Sequence, residues 1–371
     1  MINRRLATLV ALIGLAAVAC GGTATATPTP PPTPRATAIP TGTPAAATAA
    51  IASATPDPTR TPNPPPTSAP TIGQPADDGA RIIAVDKNTL GGTVSSARVR
   101  DLTIDSPAVG RIVQVQLLLP NRFDAEPSTR WPVLLLLPGS GGGHLDWTNW
   151  SDVETLTAPT DLLVVIPDAG SDDSGGSSYT DWWNGGAGGL RQWETFHLVE
   201  LRQLLERNWN AGDRRAIAGV SAGGYGAIEY AARQRGLFAF AGAYSGVFDP
   251  LGNVDFWNPP HDMWGDPIAQ ADVWKAHDPL LNAAALKGTA LFVAYGNGKP
   301  GALDNYAVSP YDPSGEVERE VAAESAALVK RLHDLKIPVT VYAYGNGTHN
   351  GPYVERDFER SLPLILKALG E

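Results

Sequence analysis

The chain has 371 residues, a formal net charge of −10 at pH 7 and a single cysteine. The first 77 residues contain four arginines and two aspartates, so the remainder is more acidic still. This charge argues against nucleic acids and anionic membrane surfaces as partners. One cysteine excludes an intramolecular disulfide and a thiolate metal cluster. The fold must therefore depend on its hydrophobic core.

The first twenty residues have the pattern of an export signal. Arg4 and Arg5 precede an apolar stretch at 6–17, which is too short for a confident membrane span, and small residues then lead to Cys20. The arrangement resembles the bacterial lipobox, in which the cysteine receives lipid, although Ala17 stands where leucine is more usual. We expect residues 1–20 to be a lipoprotein signal peptide lipidated at Cys20. An ordinary cleaved signal is the alternative.

Two regions of different composition follow the signal. Residues 21–77 are almost entirely Thr, Pro, Ala, Ser and Gly, which predicts a disordered or polyproline-biased tether. Residues 78–371 are numerous enough for one large domain with a substantial core. The sequence therefore predicts an exported domain that is anchored through its tether to the outer face of the membrane.

Short apolar, β-branched runs recur along the domain and predict strands. They lie at 111–120, 132–137, 162–167, 215–220, 238–244, 290–295 and 338–344. Between them, apolar residues at helical spacing predict helices, among them 193–205, 222–233 and 317–335. Alternation of this kind predicts an α/β fold with a mainly parallel, doubly wound sheet flanked by helices. In such sheets the ligand site lies beyond the carboxyl ends of the strands.

The motif Gly-Val-Ser-Ala-Gly at 219–223 lies directly between a predicted strand and a predicted helix. This is the nucleophile-elbow pattern in its required context, because the serine stands on a tight turn where flanking side chains would collide with backbone. We therefore predict Ser221 as a nucleophile. The amide of Ala222, at the N-terminus of the helix, would face a developing oxyanion.

A serine hydroxyl is a weak nucleophile at neutral pH and needs a general base. In α/β folds with a nucleophile elbow, the base follows the last strand, near the C-terminus. The final fifty residues contain two histidines, His333 and His349. His333 falls inside a predicted helix, whereas His349 lies in a glycine-rich loop after the last predicted strand. We therefore predict His349 as the base.

The loop after an early strand is expected to supply a second oxyanion donor. The glycine-rich segment 138–144 occupies that place, and its glycines let backbone amides approach a substrate closely. The amide of Ser140 is our candidate. A dinucleotide-binding turn would need glycine where His144 stands. We therefore expect no cofactor, and we expect His144 to be an entrance or structural residue.

The triad acid is expected after the strand at 290–295. Its candidates are Asp304, Glu316, Glu318 and Glu320, and the pattern alone does not separate them. The acidic, glycine-rich segment 168–178 lacks the ligand spacing of a calcium loop closed by a bidentate glutamate. We therefore expect a surface loop there and no metal.

Eight short segments stand in a fixed order along the domain. They lie at 178–183, 193–196 with 200–201, 219–223, 244–246 with 249–250, 262–265, 277–282, 296–298 with Pro300, and 347–349. Together they resemble the esterase D superfamily of α/β-hydrolases, and within it the secreted mycolyltransferases of the antigen 85 group. The resemblance covers nearly the whole domain.

The resemblance implies an α/β-hydrolase fold with Ser221 as nucleophile and His349 as base. It also implies that the acid is a glutamate at the start of the helix before the last strand. By this criterion Glu318 is the first candidate for the triad acid, Glu316 is the second and Asp304 is the third.

The chain also departs from the mycolyltransferases. Pro138 and Gly141 stand in place of an aspartate and an arginine, and Gly351 stands in place of a tryptophan. These departures argue against transfer of mycolic chains to trehalose. Aromatic residues close to the predicted site are candidates for lining an acyl or sugar groove, with ordinary packing as the alternative. They are Trp147, Trp182 and Trp183.

The sequence thus favours a lipid-anchored serine esterase that acts on small-molecule, lipid or carbohydrate esters through an acyl-enzyme. A first alternative resolves the same acyl-enzyme with a sugar or alcohol, which makes the protein an acyltransferase. A second alternative is a surface-binding protein that keeps the fold without catalysis. The oligomeric state is not indicated.

Overall fold

The computed structural model describes residues 73–87, 96–169, 179–183, 191–254, 263–304 and 313–371. The predicted signal peptide with Cys20, the predicted tether up to residue 72 and most of the loop at 168–178 lie outside these residues. Among the helices in the described ranges, none combines the length and apolar character that crossing a membrane requires.

The last five residues of the predicted tether, 73–77, pack on the domain. Oδ1 of Asn208 accepts hydrogen bonds from the amides of Gly73 and Gln74 at 2.8 Å, and Ala76 is buried in the core. The folded domain therefore includes residue 73, which is earlier than the predicted boundary at 78.

A single nine-stranded sheet forms the centre of the described structure. Its strands are β1 (Arg81–Lys87), β2 (Val99–Ser106), β3 (Arg111–Leu118), β4 (Trp131–Leu137), β5 (Leu163–Pro167), β6 (Ala211–Val220), β7 (Phe240–Tyr244), β8 (Ala290–Tyr295) and β9 (Thr340–Ala343). Their order across the sheet is β1-β2-β3-β5-β4-β6-β7-β8-β9. The neighbours from β5 to β9 pair in parallel, and β1, β2 and β3 join antiparallel. The mainly parallel sheet expected from the sequence is confirmed.

The seven predicted strands correspond to β3 through β9, whereas β1 and β2 were not predicted. Both lie at the antiparallel edge, where a sheet can face water and needs no continuous apolar run. Most side chains of β1 are exposed, and β2 places Arg100, Asp101 and Asp105 among its apolar residues.

Helices cover both faces of the sheet. They are α1 (Asp146–Trp150), α2 (Val153–Thr157), α3 (Trp193–Thr195), α4 (Leu201–Asn208), α5 (Ala222–Arg233), α6 (Ala271–Ala276), α7 (Pro279–Asn282), α8 (Ser314–Asp334) and α9 (Gly351–Leu369). A π-helical turn, Phe196–Glu200, joins α3 to α4, and a 3₁₀ turn, Ala283–Leu286, follows α7. Successive strand residues point to opposite faces, so β4 contributes to two cores. One core packs α4, α5 and α8, and the other packs α1, α2 and α9.

Helix α5, which follows the predicted nucleophile, carries a buried glutamate. Glu229 has no exposed surface, and its Oε1 lies 3.1 Å from Nδ1 of His277 and 3.8 Å from Nε of Arg233. Burial raises the pKa of Glu229 to about 8, although the charge of Arg233 acts to lower it. Burial also lowers the pKa of His277 to about 3. At neutral pH the contact therefore joins a neutral carboxyl to a neutral imidazole, and it ties α5 to the end of α6.

We predict that Glu229→Gln reduces the pH dependence of stability. The folded-state pKa of about 8 lies above the ordinary value of 4.5, so the native state binds more protons than the unfolded state between these values. The stability that this group confers is present at low pH and is lost as the pH rises through about 8. Glutamine keeps the shape and a hydrogen-bond donor but does not titrate.

Urea unfolding at a series of pH values measures this effect. Between about pH 5 and pH 8, the free energy of unfolding of the wild type relative to that of Glu229→Gln should decrease as the pH rises. Glu320→Gln, a change at an exposed position of α8, serves as the control. Equal slopes in the wild type and Glu229→Gln would mean that Glu229 is ionised in the native protein.

Candidate active site

The elbow at the end of β6 places Ser221 in a backbone conformation that few non-glycine residues adopt. Its φ is 56° and its ψ is −119°, and it immediately precedes α5. Such strain persists only where the surroundings enforce it. A Cβ at Gly219 would lie 2.3 Å from the carbonyl oxygen of Gly223, and a Cβ at Gly223 would lie 2.4 Å from those of Leu137 and Pro138. The two glycines therefore let β6, α5 and the end of β4 meet around the serine.

A buried carboxylate holds the predicted base. Glu318, near the start of α8, has no exposed surface, and its Oε2 lies 2.9 Å from Nδ1 of His349. Its Oε1 accepts hydrogen bonds from the hydroxyl of Ser245 at 2.8 Å and from the amide of Gly296 at 2.6 Å. Because Nδ1 of His349 is bound to a carboxylate, Nε2 is the ring nitrogen that remains for proton transfer.

Ser221, Ser245 and Gly296 are the first residues after β6, β7 and β8, three neighbouring parallel strands. Neighbouring strands lie about 4.8 Å apart, so the predicted nucleophile and the two donors that hold Glu318 lie at the same edge of the sheet. Within the described ranges, the Ser221 hydroxyl and Nε2 of His349 have no hydrogen-bond partner. Catalytic hydrogen bonds are often long in the free enzyme and tighten when substrate binds.

The two predicted oxyanion donors belong to segments that adjoin Ser221. Ala222 is the first residue of α5, and the first amides of a helix have no partner inside the helix. The glycine-rich loop after β4 lies against the serine, since a Cβ at Gly139 would stand 3.6 Å from Cβ of Ser221. Ser140 follows at an exposed position of this loop.

Three side chains fix the loop that carries Ser140. The indole N–H of Trp147 donates to the carbonyl of Leu137 at 3.1 Å, and the hydroxyl of Tyr179 donates to that of Pro138 at 2.6 Å. Further along, Nδ1 of His144 lies 3.0 Å from Oδ1 of Asp168, the residue that follows β5. His144 thus fastens the loop to β5 and takes no part in the contacts of Glu318.

The pKa of Asp168 fits this anchoring role. Burial acts to raise it, but hydrogen bonds from the side chain of His144 and from the amide of Gln114 leave it below the ordinary value. Asp168 therefore stays ionised and continues to accept both hydrogen bonds at neutral pH.

The other acid candidates lie elsewhere. Glu316 is exposed and faces Arg319 at 3.8 Å. Asp304 binds the side chains of Thr348 and Asn350, the two neighbours of His349. Of the three ranked carboxylates, Glu318 is the one whose oxygen reaches the imidazole. In the part of the chain that the structure describes, no three His, Cys, Asp or Glu side chains are grouped as a metal site would need.

The tryptophans predicted to line a groove divide into two kinds. Trp147 is fully buried against Tyr244 and Phe358, and Trp182 is almost fully buried with the guanidinium of Arg191 over its ring. Side chains with so little accessible surface cannot form a groove wall, so the groove prediction is wrong for Trp147 and Trp182. Trp183 is 38% exposed, which is compatible with a groove position.

Two further residues of the site were missed. Ser245 has a φ of 48° and donates to Glu318, and the hydroxyl of Tyr344 lies 3.4 Å from the same Oε1. Burial and then the negative charge of Glu318 raise the pKa of Tyr344 well above its usual range, so its hydroxyl stays a donor. The resemblance included Ser245 in a matching segment, but no pattern in the sequence pointed to Tyr344.

Comparison with known proteins assigns the family. Residues 106–365 match the family model described as putative esterase. The chain belongs to this esterase family. It is 29% identical over 239 residues to the esterase Rv1288 of Mycobacterium tuberculosis, a match that covers 59% of this chain and 49% of the relative. The chain thus spans about half the length of that relative.

Other relatives support the same family and fold. The diacylglycerol acyltransferase/mycolyltransferase Ag85A of Mycobacterium tuberculosis is 29% identical over 255 residues, covering 61% of this chain and 71% of the relative. The structure of MPT51 from that organism matches with a TM-score of 0.58 at 23% identity, covering 74% of this chain and 100% of that one. An S-formylglutathione hydrolase from Agrobacterium tumefaciens matches with a TM-score of 0.61 at 16% identity, covering 78% and 99%. The expected α/β-hydrolase fold is confirmed.

We predict that Glu318→Gln lowers kcat for ester hydrolysis by about 10³- to 10⁴-fold, because an amide cannot stabilise the imidazolium that forms on His349. Stopped-flow or steady-state hydrolysis of an activated ester measures the change. Glu316→Gln is the matched control on the same helix and should keep wild-type activity. If Glu316→Gln were the more damaging change, Glu318 would not be the triad acid.

Proposed function

We propose that this protein is a serine esterase that hydrolyses carboxylic esters through an acyl-enzyme. The observation that carries the proposal is the buried contact between Glu318 and His349 at the sheet edge where the strained elbow presents Ser221. Membership of the esterase family supports it.

In the proposed mechanism, Ser221 Oγ attacks the ester carbonyl while Nε2 of His349 takes the hydroxyl proton. Glu318 holds the imidazole through Nδ1 and stabilises its charged form. The amides of Ser140 and Ala222 bind the oxygen that becomes negative, and Nε2 then returns the proton to the departing alcohol. Water, activated by the same imidazole, releases the acid and restores Ser221.

The setting and substrate class are further parts of the proposal. The pattern at residues 1–20 supports export with lipidation at Cys20, and the composition of residues 21–72 supports a tether between membrane and enzyme. An enzyme held outside the cell in this way would act on small-molecule, lipid or carbohydrate esters. We propose no cofactor, since the serine mechanism needs none.

A second candidate is acyl transfer, in which an alcohol replaces water as acceptor. The similarity to Ag85A, whose name includes both diacylglycerol acyltransferase and mycolyltransferase, favours testing it. Product analysis with glycerol or trehalose present decides between the two. New acylated alcohol would support transfer, and free acid as the sole product would support hydrolysis.

We predict that Ser221→Ala abolishes hydrolysis of a p-nitrophenyl ester series from acetate to palmitate. The acyl-enzyme cannot form without the hydroxyl, and the loss should reach about 10⁶-fold, as when other serine hydrolases lose their nucleophile. A fluorophosphonate probe should label the wild type and fail to label the variant.

Ser140→Ala is the matched control for this experiment. It removes a hydroxyl from an exposed position of the oxyanion loop but keeps the backbone amide on which the proposal relies. Its activity should stay within a few-fold of wild type. Full activity in Ser221→Ala would refute the serine mechanism, and an inactive, unlabelled wild type would favour a binding protein on the same fold.

A further inference from the structure

Asp304, which lies in the segment after β8, accepts four hydrogen bonds through its carboxylate. Oδ1 accepts from the hydroxyl of Thr348 at 2.5 Å and from Nδ2 of Asn350 at 2.6 Å. Oδ2 accepts from the amide of Gly301 at 2.6 Å and from the hydroxyl of Tyr353 at 2.8 Å. The two donors to Oδ1 belong to the residues immediately before and after His349. One carboxylate oxygen therefore binds the side chains of both residues that flank His349 in the sequence.

The loop that carries His349 also rests on an aromatic support. A Cβ at Gly347 would lie 2.5 Å from Cε2 of Tyr344 and 2.8 Å from Cε1 of Tyr353, so the backbone lies directly on both rings. These rings stack on each other with centroids 5.4 Å apart and planes 4° apart. The guanidinium of Arg356 lies 4.0 Å from the centroid of the Tyr344 ring.

The stacked tyrosines join two carboxylates. The hydroxyl of Tyr344 lies 3.4 Å from Glu318, and that of Tyr353 lies 2.8 Å from Asp304. Both carboxylates therefore contact the same pair of stacked tyrosines, which lies beside the loop of His349. Glu318 contacts the imidazole ring, and Asp304 contacts the side chains on either side of it.

A single contact at Nδ1 fixes the distance from the ring to Glu318 but leaves the ring free to move around that contact. The loop before His349 contains Gly345 and Gly347, and glycine gives a backbone more freedom than other residues. A displacement of about 1 Å at a reacting group can cost about 10²-fold in rate.

The backbone of the loop is held by hydrogen bonds from the amide of His349 to the carbonyl of Ser314 at 3.1 Å and from the amide of Gly298 to the carbonyl of Gly347 at 2.9 Å. Asp304 adds a restraint of a different kind, because it holds the side chains on either side of His349.

We propose that Asp304 is a positioning residue for His349, and that it acts through Thr348 and Asn350. This inference rests on the proposed esterase function. Glu318 orients the ring and stabilises its charge, whereas Asp304 sets where the loop holds the ring relative to Ser221. Asp304 does not touch the reacting atoms.

The charge of Asp304 is available throughout the working pH range. Burial acts to raise the pKa of Asp304, but the hydrogen bonds from Thr348, Gly301, Tyr353 and Asn350 leave it below the ordinary value of 3.8. The restraint is therefore complete above about pH 4 and is lost only as the pH falls through the lower folded-state pKa. A loss of activity near neutral pH would come from another group.

The experiment compares Asp304→Asn, Thr348→Val and the double variant in the full chain with the wild type. Fluorophosphonate titration to completion counts reactive sites, so that kcat is expressed per folded enzyme. We expect Asp304→Asn to lower kcat by about 10- to 100-fold with KM nearly unchanged, because position and not binding is affected. The double variant should lose little more than Asp304→Asn alone, because both changes break the same restraint.

The pH profile separates a positioning role from a direct one. Glu318→Gln removes the charge that contacts the ring and should shift the acid limb of kcat/KM, whereas Asp304→Asn should shift it much less. Asp334→Asn, a change in an exposed ion pair with Lys330, is the matched control and should leave kcat unchanged.

Two results would overturn the inference. They are an unchanged kcat per titrated site in Asp304→Asn, and an acid limb that moves as far in Asp304→Asn as in Glu318→Gln. An inactive wild type would instead refute the proposed function itself, so the two failures are distinguishable.

Discussion

The approach of helix α5 to the end of β4 is the constraint on which the site depends. Gly223 brings the first turn of the helix against the carbonyls of Leu137 and Pro138, at a distance that any side chain would prevent. This contact places the glycine-rich loop after β4 beside Ser221, whose backbone has a strained, positive φ. The stability of the two cores maintains that strain, because β4 and β6 are buried on both faces.

The carboxyl ends of β6, β7 and β8 each place a different group at the site. β6 presents Ser221, and the residues that follow β7 and β8, Ser245 and Gly296, hold the carboxylate of Glu318. The predicted acid therefore belongs to a helix, and groups at the ends of two strands hold its carboxylate in place. Two neighbouring strands, β6 and β7, are each followed by a serine with a positive φ, and the two serines make different contacts.

Local patterns predicted the parts of the fold that depend on local chemistry. The central strands β4 to β8 are largely buried and carry apolar runs, and β3 and β9 carry β-branched residues, so these seven strands could be predicted from the sequence. β1 is mostly exposed and β2 has charged residues among its apolar ones, so neither carries such a run. The elbow and the loop of His349 are also local patterns. The choice between Glu316 and Glu318 depends on which side of α8 faces the sheet ends, and the resemblance ranked them where spacing did not. Trp147 was misjudged because composition does not reveal whether an aromatic ring is exposed.

The surroundings of His349 bear on whether water or an alcohol would resolve an acyl-enzyme, since the proposed triad serves both reactions. Gly351, at the start of α9, lies against Trp150, and a Cβ there would stand 3.4 Å from Cε3 of its ring, which is an ordinary contact distance. The aromatic ring beside residue 351 therefore comes from Trp150, the last residue of α1, and it is only half-buried. The mycolyltransferase pattern instead has a tryptophan at position 351 itself. An acceptor that stacks on this side of the site would therefore contact a ring supplied by α1 rather than by α9.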